Sequence, residues 1–147
     1  MPPLAVTLAD ALSRGDAAAI DDAWDDHWSG DRAASEVEVT DLPLNLLHDL
    51  LLGRGHHLHQ QIAREIQDRR DASSIPIVRQ MLERGFADLS YTASDDEVIA
   101  KWFGHILAGI GTADAVATIR DYAASSNAGI AAEMRYRLAR IEGRERP

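Results

Sequence analysis

The sequence predicts an all-α protein of short helices packed as antiparallel pairs, and three observations support this fold class. Apolar residues recur at spacings of three and four along the 147 residues, whereas the period-two alternation typical of strands is almost absent. Helix start and stop residues flank these periodic segments. Residues 107–111 also recur as residues 138–142, and residues 115–120 match residues 74–79, at offsets of 31 and 41.

The N-terminal part of the chain is predicted to hold two helices and a connection. The first helix covers residues 7–14. Asp16 is a candidate N-cap for the second helix, which continues to Trp28, because a carboxylate there can accept a hydrogen bond from a free backbone N–H. Residues 29–41 are predicted as a loop, with a short strand over 36–39 as an alternative.

A third helix is predicted over residues 44–52. Thr40 or Asp41 is its candidate N-cap, and Pro43 suits its first helical position. Gly53 and Gly55 follow the helix and are predicted to end it in a left-handed conformation, which glycine adopts readily.

The rest of the chain shows the same start and stop signals. Ser73 or Ser74 opens one helix, and Ser94 with Glu97 has the S-x-x-E form of a capping box that opens another. Residues 86–93 are predicted as a longer connection. The helices of this region are predicted over 57–69, 75–84, 94–110, 113–124 and 127–142.

Residues 108–116 join two of these helices and are rich in small side chains. Together with the internal repetition, this segment resembles the small-residue turn of the short HEAT-like repeat family. The resemblance covers residues 57–142, and residues 86–94 interrupt its spacing. It implies HEAT-like stacked antiparallel helix pairs, an α-solenoid fragment of the kind that binds macromolecules. An irregular helical bundle is the alternative.

We expect a single domain over residues 1–147, because this length is ordinary for one hydrophobic core. Within it, residues 1–42 are predicted as an atypical acidic N-terminal helical cap, since they do not resemble a HEAT unit. Residues 43–147 are predicted as the HEAT-like helical stack.

The net charge of −9 is concentrated in the first third of the chain. Residues 1–50 hold 11 acidic and two basic side chains, whereas residues 51–147 hold 13 of each. Negative potential repels phosphate backbones and attracts basic surfaces. The sequence therefore predicts a basic protein partner and no nucleic-acid partner.

The compartment is predicted from what the sequence lacks. It has no cysteine, no basic and apolar leader at its N-terminus, and no stretch of about 18 apolar residues that could span a membrane. We expect a cytoplasmic protein with no membrane partner, no cofactor and no metal.

The helix over residues 16–28 is the first candidate site. Its apolar residues share one face, and its four aspartates occupy the other. These aspartates form two pairs four residues apart, where like charges repel, so a cationic partner would relieve the repulsion. A solvated acidic face is an equal alternative, and burial of the two tryptophans in the protein's own core is favoured over partner contact. The partner-binding candidates are Asp21, Asp22, Trp24, Asp25, Asp26 and Trp28.

A second candidate site follows the fifth predicted helix. Tyr91, Asp95 and Asp96 lie in or beside the long connection, and long loops often carry contacts. For the two aspartates, the alternative is a favourable interaction with the dipole of the following helix. Lys101, the only lysine, is interpreted as surface charge, and His105 as a semi-buried hydrogen-bonded residue.

Histidines offer the only plausible chemistry, because the known nucleophile and phosphate-binding motifs are missing. His56 and His59 are spaced to share a metal, with His48 or His57 as a further ligand. Solvated histidines at a helix end are the favoured alternative. We therefore predict a protein without enzymatic activity.

These observations favour a non-enzymatic protein-binding module that neutralises a basic partner. Small acidic helical proteins of HEAT-like architecture resemble bacterial immunity proteins, which implies a toxin domain as that partner. The first alternative is a helical-repeat scaffold or self-associating domain, and the second a histidine–metal enzyme. The oligomeric state is predicted as a monomer or a weak homo-oligomer.

Overall fold

The computed structural model describes residues 3–28 and 41–145 of the chain. All regular secondary structure within these ranges is helical, which confirms the all-α class. The chain divides into two compact units, residues 1–65 and residues 66–147. This division falls inside the fourth helix, whereas the sequence interpretation placed one domain with an internal boundary after residue 42.

Unit 1 contains helices α1 (Leu4–Ser13), α2 (Ala17–Trp28) and α3 (Leu44–Leu52) and the first part of α4 (His59–Arg69). Asp16 caps α2 as predicted, because its Oδ1 accepts a hydrogen bond of 3.1 Å from the backbone nitrogen of Ala19. The predicted loop and possible strand after α2 fall almost wholly outside the described residues. Helix α1 begins earlier than the predicted residue 7, since Pro3 supplies its N-cap.

The ends of α3 differ from the prediction. Pro43 is the N-cap itself, with φ of −59° and ψ of 138°, and no side chain caps the helix. The proposal of Asp41 as the cap is therefore wrong, and Thr40 lies outside the described residues. Gly53 is extended, with φ of −68°, so the predicted left-handed conformation is wrong there. The prediction is confirmed for Gly55, whose φ is 94°.

The core of unit 1 consists mainly of leucine and isoleucine side chains from all four helices. Because these residues recur at helical spacing, each helix buries its apolar face and exposes the opposite face. Fully or almost fully buried members are Leu8, Ile20, Leu47, Leu50, Leu51 and Ile62.

Unit 2 contains the end of α4, a 3₁₀ turn (Ala72–Ser74), α5 (Ile75–Arg84), a second 3₁₀ segment (Ala87–Thr92), α6 (Asp96–Ile110), α7 (Ala113–Tyr122) and α8 (Ala128–Glu145). Helix α5 packs against both α6 and α7. Helix α8 packs against both α6 and α7, which also contact each other. From α5 to α8, each helix thus contacts the next one, and α5 and α6 also contact the next but one.

Helix starts in unit 2 use three side-chain caps. Thr112 Oγ1 accepts from the nitrogen of Ala115 at 3.3 Å, and Asn127 Oδ1 accepts from the nitrogen of Ile130 at 3.1 Å. Asp71 Oδ1 accepts from the nitrogen of Ser73 at 2.9 Å and caps the 3₁₀ turn. Ser74 is the N-cap residue of α5, as predicted, but its side chain makes no cap bond.

The predicted capping box at the start of α6 is wrong. Asp95 is the N-cap and makes no side-chain cap bond, while the hydroxyl of Ser94 points to the carbonyl oxygen of Thr92 at 3.4 Å. Ala93 has a left-handed φ of 53°, which separates the 3₁₀ segment from α6 and moves the helix start one residue beyond the serine.

The predicted connection over 86–93 is a packed 3₁₀ segment. Leu89 is 0% exposed and Phe86 is 5% exposed. The ring of Phe86 stacks on that of Phe103 in α6, with centroids 5.7 Å apart. The segment therefore belongs to the core of unit 2.

Candidate functional site

The exposed face of α2 is the candidate site that the sequence singled out. We call Asp21, Asp22, Asp25 and Asp26 the acidic surface. Ile20 turns inward on the opposite side of the helix and is 3% exposed. The amphipathic pattern of the sequence thus places the aspartates on the outer face, as predicted.

Asp21 differs from the other three aspartates because it is tied to the fold. Its Oδ1 accepts a hydrogen bond of 2.8 Å from the backbone nitrogen of His57, and its Oδ2 lies 3.6 Å from His57 Nδ1. The carboxylate is only 23% exposed, whereas the His57 side chain is 65% exposed. Asp21 therefore anchors α2 to the segment before α4.

Asp22 and Asp25 are both exposed. Within the described part of the chain, neither carboxylate has an ion-pair or hydrogen-bond partner. Asp26 is exposed too, but it interacts with other groups of the protein. The uncompensated charge of the acidic surface is thus centred on Asp22 and Asp25.

Trp24 lies in the core of unit 1, with 7% of its surface exposed. Its indole therefore presents almost no surface to a partner, in agreement with the alternative that the sequence favoured. The side chain of Trp28 lies outside the described residues.

Unit 1 also carries an apolar cavity between α1 and α3, with a volume of about 680 Å³. Val6, which is 57% exposed, and Leu12 contribute from α1, and Leu46 and Leu52 from α3. Such a cavity can accept apolar side chains, and the sequence analysis did not identify it.

The second predicted site lies in unit 2 at the start of α6. Tyr91 is 37% exposed, and Asp95 is exposed at the N-cap position. Asp96 accepts a hydrogen bond of 2.8 Å from Asn127 Nδ2, so it links the first turn of α6 to the start of α8. This contact gives Asp96 a structural role that the sequence could not reveal.

The two closely spaced histidines of unit 1 are buried and stacked, with ring centroids 4.1 Å apart. His56 Nε2 is 2.6 Å from the carbonyl oxygen of Leu50, and His59 Nε2 is 2.6 Å from that of Gly53. Because a carbonyl can only accept, both Nε2 atoms donate, and the two rings complete the C-terminus of α3. The favoured alternative of solvated histidines is wrong for this pair.

His56 is held neutral by its surroundings. Its Nδ1 accepts from the backbone nitrogen of Leu58 at 3.1 Å, so neither ring nitrogen has a free lone pair for a metal. Burial lowers the pKa of His56 below 6.5, and this outweighs the opposing influence of the Leu50 carbonyl and of Asp21. Within the described ranges, no three histidine or carboxylate side chains converge on a possible metal position.

Unit 2 holds a third surface, which the sequence analysis missed. A polar cavity of about 590 Å³ lies where the end of α4 meets α6 and α8. Lys101 and His105 line it from α6. The signal in the sequence is the spacing of basic residues by four on α6 and by three on α8. We call this cavity the basic groove; its charged and aromatic lining residues are Arg70, Lys101, His105, Tyr136, Arg137 and Arg140.

Comparison of the chain with family models, with curated proteins and with solved structures gives no match. Of the helices that the structure describes, none is both long and apolar enough to cross a membrane. The class that fold and surfaces define is an all-α protein whose exposed charges are distributed unevenly between its two units.

Proposed function

We propose that this protein is a non-enzymatic binding module whose acidic surface engages a basic protein partner. One observation carries the proposal: Asp22 and Asp25 are exposed without a cationic partner among the described residues. Like charges four residues apart on a helix, as in the pairs Asp21/Asp25 and Asp22/Asp26, cost a few tenths of a kcal/mol per pair. Asp25 also lies in the half of α2 where the helix dipole disfavours anions. A basic partner would offset both costs.

The charge of the whole unit supports the same function. Residues 1–65 hold 12 acidic and four basic side chains, whereas residues 66–147 hold 12 acidic and 11 basic ones. A concentrated negative potential accelerates encounter with a basic protein and makes the association rate sensitive to salt.

Apolar contact is needed for affinity, since exposed charges contribute mainly to rate and specificity. Trp24 cannot provide it, because the ring is buried in unit 1. The apolar cavity between α1 and α3 lies in the same unit as the acidic surface and can receive an apolar side chain of the partner. Val6 is the most exposed large apolar residue at that cavity.

We further propose the HEAT-like arrangement for unit 2. In stacked helix pairs, each helix contacts its successor and the helix after that, and α5 to α8 follow this pattern. Combined with the acidic surface, this architecture favours an immunity protein that blocks a bacterial toxin domain. The stacked histidines do not support the metal-enzyme alternative, because the nitrogens of His56 are engaged.

Self-association is the second candidate function, and charge complementarity favours it. The basic groove carries Arg70 and Lys101, which have no ion-pair partner in the described part of the chain. If the acidic surface of one copy docks on this groove of another, successive copies would form a head-to-tail chain. Light scattering at low and high salt tests this: a mass that rises with concentration at low salt supports self-association, and a constant monomer mass contradicts it.

The test of the main proposal uses the protein encoded by the neighbouring reading frame, because toxin and immunity genes are expected side by side. Co-expression of the present chain should restore growth to cells that the neighbouring protein inhibits, and the two proteins should co-purify. The variant Asp22→Asn/Asp25→Asn should lose protection, while Asp68→Asn/Asp114→Asn, with the same charge change in unit 2, should keep it. Equal protection by both variants would remove the acidic surface from the proposal.

A further inference from the structure

The basic groove has an unusual balance of charge. Among the described residues, no carboxylate lines it. The charge of Arg137 is offset by a buried carboxylate, because its Nε donates to Glu133 Oε2 at 3.0 Å. The Arg137 side chain is 9% exposed and the Glu133 side chain 2%. Arg70 and Lys101 have no such partner within the described ranges.

The fourth cation of the groove is held by an aromatic side chain. Arg140 Nη1 donates to the hydroxyl of Tyr136 at 3.3 Å, and its guanidinium lies 5.8 Å from the ring centroid. The guanidinium of Arg137 lies 5.4 Å from the same centroid. Tyr136 is 52% exposed, and its ring orients both guanidinium groups at the edge of the groove. The charge of Arg137 is offset by Glu133, whereas the tyrosine leaves the charge of Arg140 uncompensated.

Arg70 reaches the groove at a conformational cost. It follows the last residue of α4 with a left-handed φ of 51°, a position where glycine is strongly favoured. Its aliphatic stem passes α6 at Gly109, where a Cβ would stand 3.9 Å from Arg70 Cγ. The left-handed backbone of Arg70 is thus a local strain that a glycine at this position would relieve.

His105 reports the electrostatic potential inside the groove. Desolvation lowers its pKa below 6.5, and the positive charges of Arg137 and Lys101 lower it further against the opposing influence of Glu133. The imidazole therefore stands in a region of positive potential, which an anion would neutralise.

We propose that the basic groove binds a small phosphate-bearing anion. Arg70, Lys101 and Arg140 approach it from three different helical segments and supply three charges that no carboxylate offsets. A phosphate monoester is a dianion with three acceptor oxygens, so it offsets more of this positive charge than a monocarboxylate, which has one negative charge and two acceptor oxygens. The cavity volume suits a small molecule, and the Tyr136 ring offers a flat surface for its organic part.

This inference is independent of the proposed binding to a basic partner, since every residue of the groove lies in unit 2 and none belongs to the acidic surface. It competes with self-association, which would place an acidic surface in the same groove. The proposed ligands share a phosphoryl group, either as free phosphate or as part of an organic molecule. Inorganic phosphate, inorganic pyrophosphate and a nucleoside monophosphate are therefore separate probes of the full-length chain.

The experiment is calorimetric titration of the three probes at fixed ionic strength, with chloride as the comparison anion. We expect saturable binding of at least one phosphate compound. Lys101→Gln should weaken it about tenfold, the effect of removing one charge-assisted contact. Arg120→Gln, which removes an exposed charge on α7 outside the groove, should leave the affinity unchanged.

Arg70→Gly provides the decisive variant, because it removes the cation and the backbone strain together. We expect its melting temperature to rise while its affinity for phosphate falls about tenfold. Absence of saturable binding to the wild type, or equal affinities of wild type, Lys101→Gln and Arg70→Gly, would overturn the proposal. Tight binding of a single-stranded oligonucleotide without binding of any small phosphate would overturn it as well.

Discussion

The carboxylate of Asp21 accepts a hydrogen bond of 2.8 Å from the backbone nitrogen of His57, which lies 36 positions further along the chain. This contact gives Asp21 a different role from Asp22, its neighbour on the same helix. Asp21 links two segments of unit 1, whereas Asp22 is exposed and unpaired among the described residues. The acidic surface is thus partly structural and partly available to a partner.

Replacement of Asp21 tests whether its hydrogen bond to His57 stabilises the fold. Asp21→Ala leaves the His57 N–H without its acceptor and should lower the free energy of unfolding by about 1–2 kcal/mol. Asp22→Ala removes only a repulsive charge and should change it by less than about 0.5 kcal/mol, in the stabilising direction. Urea denaturation followed by circular dichroism measures both, and equal effects would show that the hydrogen bond contributes nothing.

Acid should destabilise the protein through His56. Because burial lowers the pKa of the folded imidazole, the unfolded chain takes up a proton first as the pH falls through about 6.5. Stability is therefore fully present above that pH and is lost below it, and His105 contributes in the same direction. The midpoint of urea unfolding should be lower at about pH 5.5 than at about pH 7.5.

The matched variants are His56→Gln and His57→Gln. His56→Gln should be less stable at neutral pH, because it disturbs the end of α3, and should show a smaller loss on acidification. His57→Gln alters an exposed neighbouring side chain, the smallest of the influences on the pKa of His56, and should retain most of the loss. An acid response that His56→Gln leaves unchanged would assign the effect to other groups.

The 3₁₀ segment before α6 is predicted to stabilise unit 2. Leu89→Ala removes a side chain with 0% exposure and should cost about 3 kcal/mol. Val98→Ala, at a position that is 47% exposed, should cost less than about 0.5 kcal/mol. Thermal unfolding distinguishes them, and a small effect of Leu89→Ala would mean that the segment acts as a loop after all.

The close approach of α8 to α6 depends on Gly129. A Cβ at this position would lie 2.6 Å from the backbone nitrogen of Glu97 and 2.8 Å from Asp96 Cβ. Gly129→Ala should therefore lower the free energy of unfolding by about 1–3 kcal/mol. Gly143→Ala, on the same helix with nothing within 4 Å, should be neutral or stabilising by about 0.5 kcal/mol. Similar stabilities of the two variants, measured by urea denaturation, would contradict this packing.

Local features of the fold could be predicted from the sequence. The cap of α2 by Asp16 depends only on neighbouring residues, and this prediction is confirmed. The capping box at Ser94 failed because the left-handed Ala93 shifts the helix start, which no spacing rule reveals.

The candidate sites could be predicted only where they lie on one helix. Amphipathic spacing sufficed for the acidic surface, but the bond between Asp21 and His57 joins distant parts of the chain. The basic groove combines Arg70 with residues more than 30 and more than 60 positions away, so its charges meet only through tertiary packing.

The central claim is that the exposed aspartates of α2 accelerate binding to a basic partner. The most direct measurement is the association rate of the chain with the immobilised product of the neighbouring reading frame, at two salt concentrations. We predict that Asp22→Asn/Asp25→Asn slows association about tenfold at low salt and flattens its salt dependence, while Asp68→Asn/Asp114→Asn leaves both unchanged. Identical rates and salt dependence for the wild type and Asp22→Asn/Asp25→Asn would contradict the claim.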